Sequence, residues 1–236
     1  MPGSPHPTTV ITRVLDEGLW VAEHSMMAMG MELGRRMTVV RLRDESLWLH
    51  SVGRLTHRVR EWLDGLGRVA YVVSPSQTHR RWMEDYAAAF PAAALVASPG
   101  LPKKRPDLVF DRTLGDVPES AWAEDLDQAV FPIRGDYQEV VFLHRPSRTL
   151  ILTDLCFRIP AGRGLMTTTL ARTFGYYERF AASRLLRLML ADRGAAREVL
   201  ERILAWDFDR VIIAHGDIVD SGGKAAMERA FAWLRE

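Results

Sequence analysis

The chain has one cysteine, Cys156, in 236 residues. No intrachain disulfide can form, which excludes the stapled scaffolds of small secreted domains and sets the expectation of a reducing, cytoplasmic location. An excess of charge is also lacking, since 31 Lys and Arg face 30 Asp and Glu for a net charge of +1. That balance argues against nucleic acid or a membrane surface as partner. The short run Lys103-Lys104-Arg105, between Pro102 and Pro106, reads as a solvated loop. No apolar run approaches the length of a membrane span, and the first residues lack the apolar core of a signal peptide. Neither a repeat nor a separating linker is evident, so one domain over residues 1–236 is expected, with residues 1–10 disordered around Pro2, Pro5 and Pro7.

What is present is enough apolar sequence, 47% of residues, to bury a sizeable core. Apolar and alternating runs at 19–23, 37–42 and 47–50 predict an opening antiparallel meander, followed by a helix from Thr56 that ends near Gly65 and Gly67. A strand over 69–73, a helix over 79–90 with Trp82, Tyr86 and Phe90 four residues apart, and a strand over 95–97 form the next unit. Strands follow near 108–110 and 128–133, then a hairpin of 139–144 with 149–153 around Arg145-Pro146-Ser147-Arg148. A long helical region over about 168–206, broken near Gly194, precedes a strand over 211–214 and a last helix over 224–234. Leu185 to Leu190 is apolar nearly all round, which suits packing on a sheet or on a second copy in a homodimer.

Four strand-end segments carry a resemblance. Ser74-Pro75-Ser76-Gln77-Thr78-His79-Arg80 follows an apolar strand, as the ligand motif T-H-x-H-x-D-H does in metallo-β-lactamase-fold hydrolases. Leu47-Trp48-Leu49-His50-Ser51 resembles the early strand of that fold, Leu150-Ile151-Leu152-Thr153-Asp154 the strand that ends in the bridging Asp, and Val211-Ile212-Ile213-Ala214-His215-Gly216 the strand whose last His completes the second metal position. The wording around 145–154 and 206–217 resembles, more closely, an uncharacterised bacterial family of unknown function related to that superfamily. The resemblance implies an α+β fold: an αββα sandwich of two mixed sheets with helices on the outer faces, and residues 165–206 as a helical insertion.

It also implies which ligands survive. On the motif, Pro75 and Gln77 stand where the first two His belong, and no His occurs in 134–138, so the first metal position is without ligands. For the second position the resemblance leaves His79, Asp154 and His215, a His₂Asp set suited to one zinc, iron or manganese ion. Arg80 replaces the remaining ligand. Its fixed charge either opposes a dication or pairs with Asp154 in place of one, and the metal-free site stays open as the alternative.

Further candidates each have a bland reading beside the chemical one. His50 and Ser51 end a strand aimed at the cleft and are candidates for proton transfer, or His50 is a strand-end residue bonded to backbone. Asp217 is a candidate for holding the His215 tautomer, or caps the turn before Ser221. Glu139 either lends an oxygen to the site or bonds backbone, and His144 at the hairpin tip reads as structural. Met26, Met27, Met29, Met31 and Met37 with His24 read as adaptable packing rather than a Cu(I) site. Phe174, Tyr176, Tyr177 and Phe180 wall a ligand pocket or pack a core. Three functions remain: a single-metal hydrolase of an ester, lactone or phosphoester acting on a small molecule; a metal-free ligand-binding module; and an interaction protein that dimerises through its helical region.

Overall fold

Strands of the first half of the chain, the central ones buried on both faces, build the larger sheet. The computed structural model describes residues 11–28 and 30–236, so the disorder expected for 1–10, and Met29, lie outside the described residues. In chain order come β1 (Ile11–Asp16), β2 (Leu19–His24), β3 (Met27–Ala28), β4 (Met31–Glu32), β5 (Arg35–Arg41) and β6 (Leu47–His50). Then follow α1 (His57–Leu66), β7 (Val69–Ser74), α2 (Met83–Ala89), β8 (Ala94–Ala97), α3 (Leu101–Lys104) and β9 (Arg112–Thr113). The second half holds β10 (Leu126–Arg134), β11 (Tyr137–His144), β12 (Thr149–Ile151), β13 (Cys156–Phe157), α4 (Leu165–Phe174), β14 (Ala181–Ala182) and α5 (Arg184–Met189). It ends with α6 (Arg193–Ala205), β15 (Arg210–Ile212), α7 (Gly223–Ala230) and α8 (Ala232–Arg235).

Among the described residues one sheet runs β1-β2-β5-β6-β7-β8-β9 and a second runs β10-β11-β12-β15. Both are mixed: β1, β2, β5 and β6 pair antiparallel before β6, β7 and β8 turn parallel, and β12 pairs parallel with β15. Between the sheets lie Leu19, Val21, Val40, Trp48 and Val73 against Phe142, Ile151 and Ile212. Outside the first sheet, Val59 and Leu63 of α1 and Met83 and Tyr86 of α2 pack on Met37, Val39, Leu49 and Val72. Outside the second, α5, α6, α7 and α8 cover β10 to β12 through Leu186, Leu200, Met227 and Phe231. This is the expected αββα sandwich.

Three elements differ from the sequence expectation. The helix expected over 79–90 starts at Met83, because residues 75–82 form a loop whose Trp82 takes φ +69°. The region 168–206 is three helices rather than one with a break: α4 ends on Gly175 in the left-handed region, and Ala181–Ala182 pairs with β13 before α5 begins. No strand forms at 108–110, where Pro106 precedes a turn and the edge strand comes later, as β9.

Candidate functional site

The candidate residues sit where parallel strand ends bring distant loops together. Ser74, at the end of β7, donates from Oγ to the carbonyls of Ser76 and His79 and so shapes the loop that carries His79. Ser51 follows β6, its amide bonded to the Val73 carbonyl at 3.0 Å, and its Oγ lies 2.6 Å from His79 Nδ1. Asp154 follows β12, and the loop is pinned by Glu139, whose carboxylate accepts from the amides of Thr153, Asp154 and Leu155 at 2.6, 2.7 and 3.1 Å. His215 follows β15. Gly216 beside it has φ +91°, and a Cβ there would meet the Arg158 carbonyl oxygen at 1.9 Å, so only glycine fits.

His79 Nε2 and His215 Nε2 each lie 3.3 Å from the same Asp154 oxygen, Oδ1. One donor atom from each of the three residues falls within 4.8 Å of the others. Asp154 Oδ2 accepts from Thr78 Oγ1 at 2.6 Å, which fixes the carboxylate with Oδ1 toward the imidazoles. His215 Nδ1 is 2.7 Å from the Gly34 carbonyl. A carbonyl only accepts, so Nδ1 carries a proton, and with that tautomer Nε2 is the nitrogen left to present a lone pair toward the carboxylate oxygen. Two such acceptors facing each other repel unless a cation or a proton lies between them. Two ligands on a tetrahedral ion at about 2.0–2.1 Å stand about 3.3–3.4 Å apart, which is the spacing seen here.

The charges suit a cation. Burial first, then the charge of Arg35, brings the His79 pKa down to about 4, so this imidazole is neutral at pH 7. Burial alone would raise Asp154, but the facing imidazoles outweigh it and hold its pKa well below the ordinary carboxylate range. The cluster opens on a cavity of about 950 Å³ whose lining includes Arg35, Arg80 and Arg81 as well as Met31, Phe157 and Tyr176. Met26 and Met27 also line it, whereas Met37 packs in the core under Tyr86. Phe174 lines it as well, as expected for a pocket wall.

Other candidates are placed elsewhere. His50 does not line the cavity: it stacks on Trp48 at 5.4 Å and meets Phe142 edge-on between the sheets, with Nε2 buried and unpartnered. Residues 48 and 50 share a face of β6, and Trp48 already belonged to the inter-sheet core. Asp217 does not hold His215, a role taken by the Gly34 carbonyl; it lies beside Arg36 and Arg158 in a separate polar pocket. Arg80 makes no ion pair with Asp154; its carbonyl accepts from Arg105, and that guanidinium binds Asp107 and Glu84. The cation nearest the cluster is instead Arg35, which sequence reasoning passed over. Consecutive arginines in a buried strand were the available signal, because they must point to opposite faces: Arg36 pairs with Glu23 and Arg35 turns toward the cavity.

The place of the absent first-position ligands is closed by other bonds. Gln77 donates from Nε2 to the carbonyls of Asp136 at 2.6 Å and Pro99 at 3.3 Å, and Gly100 leaves room for that amide. Val140 donates its amide to the Pro75 carbonyl at 2.8 Å.

The model of a family described as a domain of unknown function, DUF4336, matches residues 16–173, well over half of the chain. No curated protein matches the sequence. A metallo-β-lactamase from Pontibacter korlensis is similar in structure with a TM-score of 0.65 at 14% identity, over 97% of this chain and 100% of its own. The FIM-1 metallo-β-lactamase from Pseudomonas aeruginosa, in its mono-zinc form, gives 0.67 at 14% identity over 98% and 97%. The metal-soaked Flv1 flavodiiron core from Synechocystis sp. PCC6803 gives 0.66 at 11% identity over 97% of this chain and 62% of its own. At these identities the likeness shows the fold: the chain has the metallo-β-lactamase fold.

Proposed function

We propose that this chain, which belongs to the DUF4336 family, is a single-metal hydrolase that holds one divalent cation on His79, Asp154 and His215 and cleaves an ester, lactone or phosphoester in the adjoining cavity. The observation that carries the reading is His215, whose Nδ1 is committed to the Gly34 carbonyl while Nε2 faces Asp154 Oδ1 at 3.3 Å. A bound zinc, iron or manganese ion would polarise the substrate oxygen and lower the pKa of water. The protein's own groups keep the donors ready: Ser51 orients His79, Gly34 orients His215, and Thr78 with Glu139 fixes Asp154. Burial and the Asp154 charge raise the Tyr137 phenol, so at neutral pH it remains a hydrogen-bond donor at the cavity wall. The cavity is of the size that takes a small organic molecule, the partner this reading requires.

A metal-free binding module is favoured by one observation, the Arg35 guanidinium, which supplies positive charge near Asp154 without any ion. Metal content separates the two. Purified protein is stripped with chelator, dialysed against zinc, iron(II) or manganese, and assayed for metal per chain and for hydrolysis of p-nitrophenyl esters, lactones and phosphodiesters. One ion per chain, lost in His215→Ala and Asp154→Asn, is expected. Failure to retain any of the three metals overturns the hydrolase reading and leaves the binding module.

A further inference from the structure

Arg35 is the charged group that the hydrolase reading leaves unused. It is 4% exposed, donates from Nε to the Ser51 carbonyl at 3.4 Å, and lies over the Trp82 ring at 5.2 Å. Its Nη2 is buried with no partner. No carboxylate is in ion-pair contact with it among the described residues, and residues 1–10 and Met29 contain no Asp or Glu to supply one. A guanidinium that lines a cavity with no carboxylate paired to it fits an anion brought by a ligand. Arg80, Arg81, Lys104 and Arg105 also line the cavity and outnumber the one further carboxylate there, Glu84.

Apolar side chains make up much of the remaining lining and of its frame, beside the polar Gln77, Thr78 and Ser183. Met26, Met31, Phe157, Phe174 and Tyr176 line the cavity. Eight large hydrophobic residues are exposed among the described residues: Val14, Met27, Val109, Val117, Leu165, Met166, Leu185 and Leu188. The first, third and fourth are scattered, while the other five sit on the β3–β4 hairpin, the start of α4, and α5. The hairpin is tied to α4 by the Glu32 amide on Thr167 Oγ1 at 2.8 Å, and α5 lines the cavity through Leu185, Leu186 and Met189. Leu165 at 84% and Leu188 at 83% exposed are costly to leave in water without a purpose.

We propose that the cavity receives an amphiphile with one anionic head and one apolar chain: the head is seated on Arg35 beside His79 and Asp154, and the chain runs out between the β3–β4 hairpin, α4 and α5. This names the substrate class of the hydrolytic site and rests on that reading for the chemistry, though not for the binding. A carboxylate or a phosphate head offers Arg35 the same paired acceptors, and the choice between them is left to the probes.

Isothermal titration calorimetry on the full chain, chelator-stripped and zinc-supplemented, is run with decanoate, decyl phosphate, decanol and the octyl members of each series. Both anionic classes, or one of them, bind at least tenfold more tightly than decanol, and affinity rises about fourfold per added CH₂. The preferred anion identifies the head. Arg35→Lys, checked for folding by its melting curve, lowers anion affinity about tenfold and leaves decanol within threefold. Met166→Glu, on the exposed rim, flattens the chain-length dependence. Equal binding of decanol and the anions, unchanged anion affinity in Arg35→Lys, or no binding of any probe overturns the proposal. Binding by stripped protein that takes up no metal retains the amphiphile site and removes the hydrolase; metal uptake without probe binding does the reverse.

Discussion

Two corners of the same loop cluster use their polar groups in opposite ways. At the His79, Asp154 and His215 corner, each far side of a side chain is bonded to the protein, and the near sides face one another around Oδ1. At the Gln77 and Glu139 corner the near sides are already taken: the amide nitrogen joins two loops, and both carboxylate oxygens accept backbone amides. A ligand set is therefore defined by what is left unbonded, not by residue type. Glu139 is fully buried close to the site, and each of its oxygens is already committed to backbone amides.

The largest effect expected from breaking this contrast is on the closed corner. Glu139→Ala strands the amides of Thr153, Asp154 and Leu155 in a buried place, and a loss of about 3–5 kcal/mol in unfolding free energy by urea denaturation is expected, since each such group costs about 1–3 kcal/mol. At the open corner, Asp154→Asn removes the charge the cation needs. Zinc at one hundred times its Kd should stabilise the natural protein by about 2.7 kcal/mol and the variant not at all, as read by melting curves with and without metal.

The corners should also titrate in opposite senses when no metal is present. His79 falls to about 4 when folded, below its ordinary value, so the unfolded chain binds more protons between roughly pH 6.5 and 4. Its share of stability is present above that window and lost as pH falls through it, at up to about 1.4 kcal/mol per pH unit. Burial and the Asp154 charge raise Glu139 to about 8, against the pull of the amides it binds. Its share is present below about pH 4.5 and lost as pH rises through 8. In stability measured against pH, His79→Gln should shallow the acid limb and Glu139→Gln the alkaline limb. The acid limb persists in part, because burial also holds His24 and His144 at about 4. The smallest effect belongs to Arg80→His: without an ion pair between Arg80 and Asp154 to release, zinc affinity by equilibrium dialysis should change less than threefold.

Much of the sandwich was legible because apolar runs and strand ends are local signals. Leu19 to Glu23, Leu47 to His50 and Val69 to Val73 came out as strands, and the turn at Arg145 to Arg148 joins the expected hairpin. Reading His50 as a cleft residue set aside the alternation of side chains along a strand, which puts it beside Trp48 between the sheets. The helical region expected over 168–206 with one break near Gly194 is interrupted earlier as well, where helical composition meets a short β13–β14 pairing with the segment after Asp154.

The sequence by itself determined that His79, Asp154 and His215 stand at the ends of strands or just after them, because apolar runs fix where strands stop and the next polar residue begins a loop. Only the tertiary structure decided which of those polar groups stay free. His215 is oriented by a carbonyl 181 positions away, Glu139 is used up by amides 14 to 16 positions on, and Arg35 lies unpaired beside a carboxylate that others already hold. A hydrogen bond is satisfied by whatever the packed chain brings within about 3 Å, and that proximity is a property of the fold as a whole rather than of any segment.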